Sequence, residues 1–265
     1  MSDHSVSAPN LAELQTHRSE KWRGFASDVL PLPVAEMDYP VAQPIRDLLS
    51  EMVAKSDLGY LGAIPELGKG FAHFAGTRWN WEVDPLQVRA ATDVGVAVVE
   101  ILRVFTKPGD SILLSSPVYH NFYNWINETK LNLVDVPFER TGDESANPWE
   151  INWDGIEKAY ASGIKVHILC SPHNPLGRIY SKEELLRLVA LAKRYQVLII
   201  SDEIHAPLTF KGKSFTPMLN LGADAEAVSV TVTAASKGWN IAGLKCAIIV
   251  SQNEAINAHL ATMPM

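Results

Sequence analysis

Short, largely apolar runs of five to seven residues alternate along the chain with stretches in which apolar residues recur every three or four positions. The apolar runs are QVRAAT (87–92), SILLSS (111–116), LNLVDV (131–136), KVHILC (165–170), VLIIS (197–201), AVSVTVT (227–233) and KCAIIV (245–250). Several are apolar nearly throughout, as expected of strands covered on both faces of a mostly parallel sheet. The helical period is clearest in SKEELLRLVALAKRYQ (181–196), where Leu185, Leu188, Val189 and Ala192 share one face. Ser181 followed by Glu184 adds the signature of a capping box. Weaker helical patterns cover 41–55, 65–77, 95–106, 153–161 and 253–262. Strands alternating with helices of this length predict βαβ units, hence an α/β fold of the doubly wound type. ERTGDESANPWE (139–150) is the most loop-like segment, and no internal repeat or low-complexity linker stands out.

Composition narrows the class without naming a chemistry. At 265 residues the chain can form one large α/β domain or two smaller ones. A net charge of −7, with acids and bases interspersed, argues against nucleic acid as a partner, because phosphate binding needs a basic patch. No run approaches the roughly 18–20 apolar residues of a membrane span. The polar start MSDHSVSAPNLAELQTHRSEKW lacks the apolar centre of a secretory signal, so a cytoplasmic protein is expected. Cys170 and Cys246 sit in or beside apolar runs and read as small buried hydrophobes in a reducing compartment. No Cys/His spacing suggests a metal site.

Open α/β sheets bind ligands at the carboxyl ends of their strands, so the residues following each run carry the functional signal. KVHILC is followed by SPHNPLGR, whose prolines and glycine force an irregular loop presenting His173, Asn174 and Arg178. VLIIS is followed by Asp202 and Glu203; a carboxylate there is either a cap or a partner for something cationic. AVSVTVT is followed by AASKGWN, which places Lys237 at the equivalent position. Earlier, ATDVGVAVVEIL runs from a strand into a helix through Asp93, Val94 and Gly95, where backbone N–H groups could meet an anion. Asp93 would repel such an anion unless its side chain turns away to cap the helix. An amide, a carboxylate and an amine ending three successive strands, beside a possible phosphate cup, match the needs of pyridoxal 5'-phosphate: an amine for its aldehyde, a carboxylate for its pyridinium, a donor for its ring hydroxyl and a phosphate anchor.

SPHNPLGR, SDEIHAPL and ASKGWNIAGLK resemble the three signature blocks of fold-type I pyridoxal-phosphate enzymes of the aminotransferase class I/II superfamily. LPLPVAEMDYP (30–40), LGYLG (58–62) and PVYHNF (117–122) bring the resemblance to the cystathionine β-lyase, or C–S lyase, branch. The resemblance runs from about Lys21 onward. It implies a three-layer α/β/α fold of the aspartate aminotransferase type and an amino acid as substrate. By position it makes Lys237 the Schiff-base lysine, Asp202 the partner of the pyridine nitrogen and Asn174 the amide on the ring oxygen. His205 stands where many aminotransferases carry tyrosine, and Tyr119 is placed to stack on the ring. Val94 and Gly95 fall in the phosphate cup with Ser236 beside it. Tyr60 matches a tyrosine that reaches the neighbouring subunit's phosphate, which implies a homodimer with shared sites.

Two departures follow from the same resemblance. Lys245 occupies a position where many relatives use arginine on the phosphate, so the bidentate fork is lost while the charge is kept. Relatives also continue well past the point where INAHLATMPM closes this sequence, so the small C-terminal domain, with its carboxylate-binding arginine, is expected to be largely absent. On that basis 1–45 is read as the N-terminal part of the small domain and 46–265 as the large cofactor domain. The implied reaction is α,β-elimination giving a thiol, pyruvate and ammonia, with Lys237 as base at the substrate α-carbon. An aminotransferase on the same residues is the second reading, and an inactive or regulatory protein on the same scaffold is the third. Glu36 and Asp38 are left between contacting substrate and shaping the N-terminal turn.

Overall fold

The computed structural model describes residues 7–142 and 148–264, so the middle of the loop-like segment 139–150 lies outside the described residues. The chain separates into two compact units, Met1–Gly62 with Ala235–Leu244, and Ala63–Ala234 with Lys245–Met265. The first holds α1 (Leu11–Leu14), α2 (Glu20–Arg23) and α3 (Gln43–Ala54). Proline near the start of α3 suits a helix N-terminus, where the missing N–H has no intrahelical role.

The second unit is built on a seven-stranded sheet. Its strands are β1 (Val88–Ala91), β2 (Ser111–Leu114), β3 (Asn132–Asp135), β6 (Val166–Cys170), β7 (Leu198–Asp202), β8 (Ser229–Thr233) and β9 (Ala247–Val250), in the order β1-β9-β8-β7-β6-β2-β3. All seven expected strands are present, with ends within two residues of the sequence reading. The pairs β8–β7, β7–β6, β6–β2 and β2–β3 are parallel, and β9 runs antiparallel to both β1 and β8. A two-stranded hairpin, β4 (Glu139–Arg140) with β5 (Trp149–Glu150), lies apart from this sheet.

Strand periodicity assigns alternate residues to opposite faces. Ile112, Leu114, Ile168, Ile200, Val230 and Val232 share one core with α5 (Val94–Phe105), α6 (Asn121–Glu128) and α10 (Glu254–Leu260). Leu113, Leu169 and Ile199 face a second core with α7 (Trp153–Ala161), α8 (Lys182–Tyr195) and α9 (Ala223–Val228). Ile248 and Val250 of β9 meet Ala75 of α4 (Pro65–Trp79) and Trp81. Helices on both faces of a mostly parallel sheet give the three-layer α/β/α arrangement. The capping box of α8 forms: Ser181 Oγ accepts the Glu184 N–H at 3.1 Å, and Glu184 Oε2 accepts the Ser181 N–H at 2.8 Å.

The structure adds α1, α2, α6 and α9, which the sequence reading leaves out. NFYNWINE hides its Phe122, Trp125 and Ile126 stripe among three asparagines, which are poor helix formers. α9 spans six residues, too short for a helical period to register. One expectation is corrected: Cys170 is buried, but Cys246 is exposed. It precedes the first residue of β9 and follows Lys245, whose left-handed backbone (φ 53°) turns the chain outside the sheet.

Candidate active site

Six strands of the second unit run in one direction, so their carboxyl ends meet at one edge. Because β9 runs the other way, the residues that lead into it reach the same edge. Asp93, Asn174, Asp202 and Lys245 therefore belong to one rim of the sheet.

The α5 N-terminus comes directly after β1. Helix geometry leaves the first N–H groups of α5 without intrahelical acceptors. Asp93 takes one of them, its Oδ1 accepting the Val96 N–H at 2.8 Å. Its other oxygen accepts from Lys245 Nζ at 3.2 Å. The side chain thus turns away to cap the helix, and its charge is balanced by Lys245. Val94 and Gly95 form the first turn. A Cβ on Gly95 would lie 3.0 Å from the Trp125 ring, so only glycine lets that indole close over the helix start. An N-terminal turn of a twelve-residue helix with a lysine beside it is suited to an anion.

Asp202 ends β7 as a buried carboxylate, with Oδ1 accepting the Ile204 N–H at 3.1 Å. Its backbone carbonyl accepts the Ser171 N–H at 2.9 Å, and Asp202 is in register with Cys170. The loop carrying Asn174 is thereby fixed against the strand carrying Asp202. That loop turns sharply: Ser171–Pro172 and Asn174–Pro175 are cis, and the Asn174 N–H donates to Cys170 Sγ at 3.3 Å. Asn174 and His205 line a cleft of about 800 Å³ together with Trp149, Arg178, Leu208 and Phe210. Tyr119 follows β2, with its ring edge-on to Phe122 and Trp125 and its hydroxyl accepting from Asn121 Nδ2 at 2.6 Å.

Three residues of this rim have a structural task. Glu203 points into the protein, where Oε1 accepts from Ser201 Oγ (2.9 Å) and the Met218 N–H (2.8 Å). Burial raises its pKa to about 8, against the lowering effect of those hydrogen bonds. Arg178 is buried between the rings of Phe138 and Tyr180, 5.7 and 4.7 Å from their centroids, and is paired with Glu184. Burial and the Arg178 guanidinium lower the pKa of His173 to about 4. These three are local structure rather than free chemistry.

The remaining candidates belong to the first unit. Ser236 and Lys237 lie half-buried in a run of turns following β8 in the chain. Tyr60 is fully exposed, beside the exposed Leu58 and Leu61 in sequence. Asp38 accepts from Lys21 Nζ at 2.9 and 2.8 Å, and Glu36 accepts from Ser19 Oγ at 2.7 Å, so both carboxylates shape the N-terminal turn. The sequence reading misses Lys21 and Asn240, which hold that turn. Their partners lie 17 and about 200 positions away, beyond the reach of any local pattern. Among the described residues no cluster of His, Cys, Asp and Glu could hold a metal ion. Among those residues no helix is long and apolar enough to cross a membrane.

Residues 27–264 match the family described as aminotransferase class I and II. The chain is 36% identical over 251 residues to a cystathionine β-lyase of Corynebacterium glutamicum, covering 93% of this chain and 64% of that one. It is 32% identical to the cystathionine β-lyase PatB of Bacillus subtilis, covering 84% and 57%. Among solved structures, cystalysin from Treponema denticola, which contains a pyridoxal 5'-phosphate cofactor, is similar with a TM-score of 0.86 and 27% identity, covering 98% of this chain and 68% of that one. The chain spans under two thirds of the length of the curated relatives it matches.

Proposed function

This chain belongs to the aminotransferase class I and II family, and we propose that it acts as a pyridoxal 5'-phosphate-dependent carbon–sulfur lyase. The observation that carries the reading is the buried Asp202 carboxylate on the same sheet rim as Asn174 and the anion-suited start of α5. That donor set fits the cofactor: a carboxylate for a pyridinium, an amide for a ring hydroxyl, and a helix N-terminus with Lys245 for a phosphate.

When bound, pyridoxal 5'-phosphate supplies an electron-accepting ring conjugated to the substrate's α-carbon. Lys237 supplies the amine that carries the aldehyde. With its amine free, Lys237 would take the α-proton of the substrate. Asp202, buried and hydrogen-bonded to its own loop, would hold a proton on the ring nitrogen by charge pairing in a low dielectric. Asn174 would donate to the ring oxygen and Tyr119 would cover the ring face. Val94 and Gly95 would donate N–H groups to the phosphate, and Lys245 and Ser236 would each add a donor. His205, which lines the cleft with Asn174, would border the ring. When the substrate bears sulfur on its β-carbon, loss of the α-proton breaks the C–S bond, and the electron pair leaves with the thiol. Water then releases pyruvate and ammonia from the remaining fragment.

The cystathionine β-lyase relatives favour a thioether amino acid such as cystathionine as substrate. We further place the protein in the cytoplasm, on the strength of two unpaired cysteines. We read it as a homodimer in which the exposed Tyr60 completes the partner's site. The test is pyruvate release from L-cystathionine, measured with pyridoxal phosphate and without any keto acid. The lyase reading expects pyruvate and thiol in equal amounts, lowered by about 10²–10⁴-fold or more in Lys237→Ala. Amino transfer that requires a keto acid and yields no free thiol would replace it with the aminotransferase reading.

A further inference from the structure

The turn that bears Lys237 is tied to a distant part of its own unit through the Asn240 side chain. Residues 235–241 are closed by the Trp239 N–H donating to Ala235 O at 3.0 Å and the Ile241 N–H donating to Ser236 O at 3.1 Å. Three residues after Lys237, Asn240 adopts left-handed backbone (φ 55°). Asparagine tolerates that conformation better than most residues with a side chain. Its Oδ1 accepts the Met37 N–H at 3.1 Å, and its Nδ2 donates to Met37 O at 2.8 Å and Tyr39 O at 3.3 Å. Both ends of the amide are therefore committed to one short segment, 37–39.

That segment is held in place by charge. Lys21 is 3% exposed. Its Nζ donates to both oxygens of Asp38 and to Glu36 O at 3.2 Å. The Trp22 indole N–H adds a bond to Asp38 Oδ1 at 3.1 Å. A buried ammonium whose donors are all used is rigid, and removing either partner strands the other. Apolar packing does not do this work, because Val34, Met37 and Tyr39 are exposed. The segment's geometry is set by polar contacts at both ends: Lys21 on one side and Asn240 on the other.

We infer that Asn240 is a positioning residue for Lys237, fixing the turn that aims the amine by anchoring it to the 36–39 segment that Lys21 and Asp38 hold rigid. What Lys237 is aimed at rests on the proposed function; the coupling between 36–39 and 237–241 does not. A side chain that must first hold an aldehyde and then reach an α-proton gains from a turn with one orientation.

The test compares the whole wild-type chain with Asn240→Gly, Asn240→Asp and Asp38→Asn. Glycine keeps the left-handed backbone and deletes only the side chain. Aspartate keeps an acceptor for the Met37 N–H and loses both donors. Asp38→Asn acts only from the far end. Amide hydrogen exchange is measured on the cofactor-free proteins. Labelling of Lys237 by limiting pyridoxal phosphate, fixed with borohydride and mapped by peptide mass, follows. Asn240→Gly and Asp38→Asn should each raise exchange at 237–241 about tenfold, as the loss of two or three hydrogen bonds implies, with exchange in β6–β8 unchanged. Labelling of Lys237 should fall about tenfold, and Asn240→Asp should lie between. Unchanged exchange at 237–241 in Asn240→Gly overturns the inference. So does faster exchange with wild-type labelling, since the clamp would then hold the turn without directing the lysine. A wild-type chain that takes no label on Lys237 removes the proposed function, and the positioning role with it. Failure of the inference alone instead shows as normal wild-type labelling that the variants leave unchanged.

Discussion

At the scale of single residues, two adjacent carboxylates take opposite roles. Asp202 and Glu203 are consecutive in a strand end, so their side chains leave on different sides. Asp202 belongs to the rim, while Glu203 enters the interior and meets Ser201, Met218 and Thr231. Asp202→Asn preserves size and can still accept the Ile204 N–H, but it removes the charge. We expect lyase turnover to fall about 10²–10⁴-fold with little change in melting temperature, read by pyruvate assay and calorimetry. Glu203 gives a pH signature. Its pKa is raised to about 8 in the folded chain, so between the ordinary carboxylate range and pH 8 the folded state holds a proton that the unfolded state has lost. Its contribution to stability is present at low pH and is lost as pH rises toward 8. Urea unfolding should show Glu203→Gln gaining on the wild type across that window, by at most about 1.4 kcal/mol per pH unit. Asp202, Asn174 and Lys237 stand out as candidates in the sequence because each ends or follows an apolar run, where a polar residue needs a reason. The division of labour between Asp202 and Glu203 was not legible, because DE reads alike until the strand's last residue and the surrounding hydroxyls are known.

At the scale of elements, the alternation of apolar runs and helical periods carried most of the second unit. Every expected strand is in the sheet; β2, β6, β7, β8 and β9 are buried almost throughout, as expected of strands covered on both faces, while the edge strands β1 and β3 are partly exposed. The order of the strands was not legible, since β9 inserts between β1 and β8 through contacts far apart in sequence. Close approach was equally hidden. A Cβ on Gly68 in α4 would lie 2.2 Å from the Pro85 carbonyl oxygen, a backbone atom that cannot swing aside. Gly68→Ala should therefore destabilise the protein by about 1–3 kcal/mol despite alanine's better helix propensity, as measured by denaturant unfolding. The opposite sign would mean that α4 and the 85–87 turn shift apart freely.

At the scale of the whole molecule, the exposed apolar residues of the first unit are the feature that composition could not reveal. Leu30, Leu32, Leu58, Tyr60 and Leu61 are each more than two-thirds exposed. We take these side chains as the surface that the proposed homodimer covers. With the homodimer proposed above, sedimentation velocity at micromolar concentration should give twice the chain mass, and Leu32→Asp with Leu61→Asp should shift it to monomer. A wild-type monomer would remove the shared-site role proposed for Tyr60.

The central claim is that Lys237 is the amine for pyridoxal 5'-phosphate, and chemistry at that nitrogen tests it most directly. The purified chain is mixed with the cofactor, its absorption recorded, then reduced with borohydride, digested and mapped by mass. The account predicts a visible band that bleaches on reduction, leaving one pyridoxyl group per chain on Lys237 and none on Lys237→Ala. Label spread over surface lysines, or a band that survives in Lys237→Ala, would contradict it.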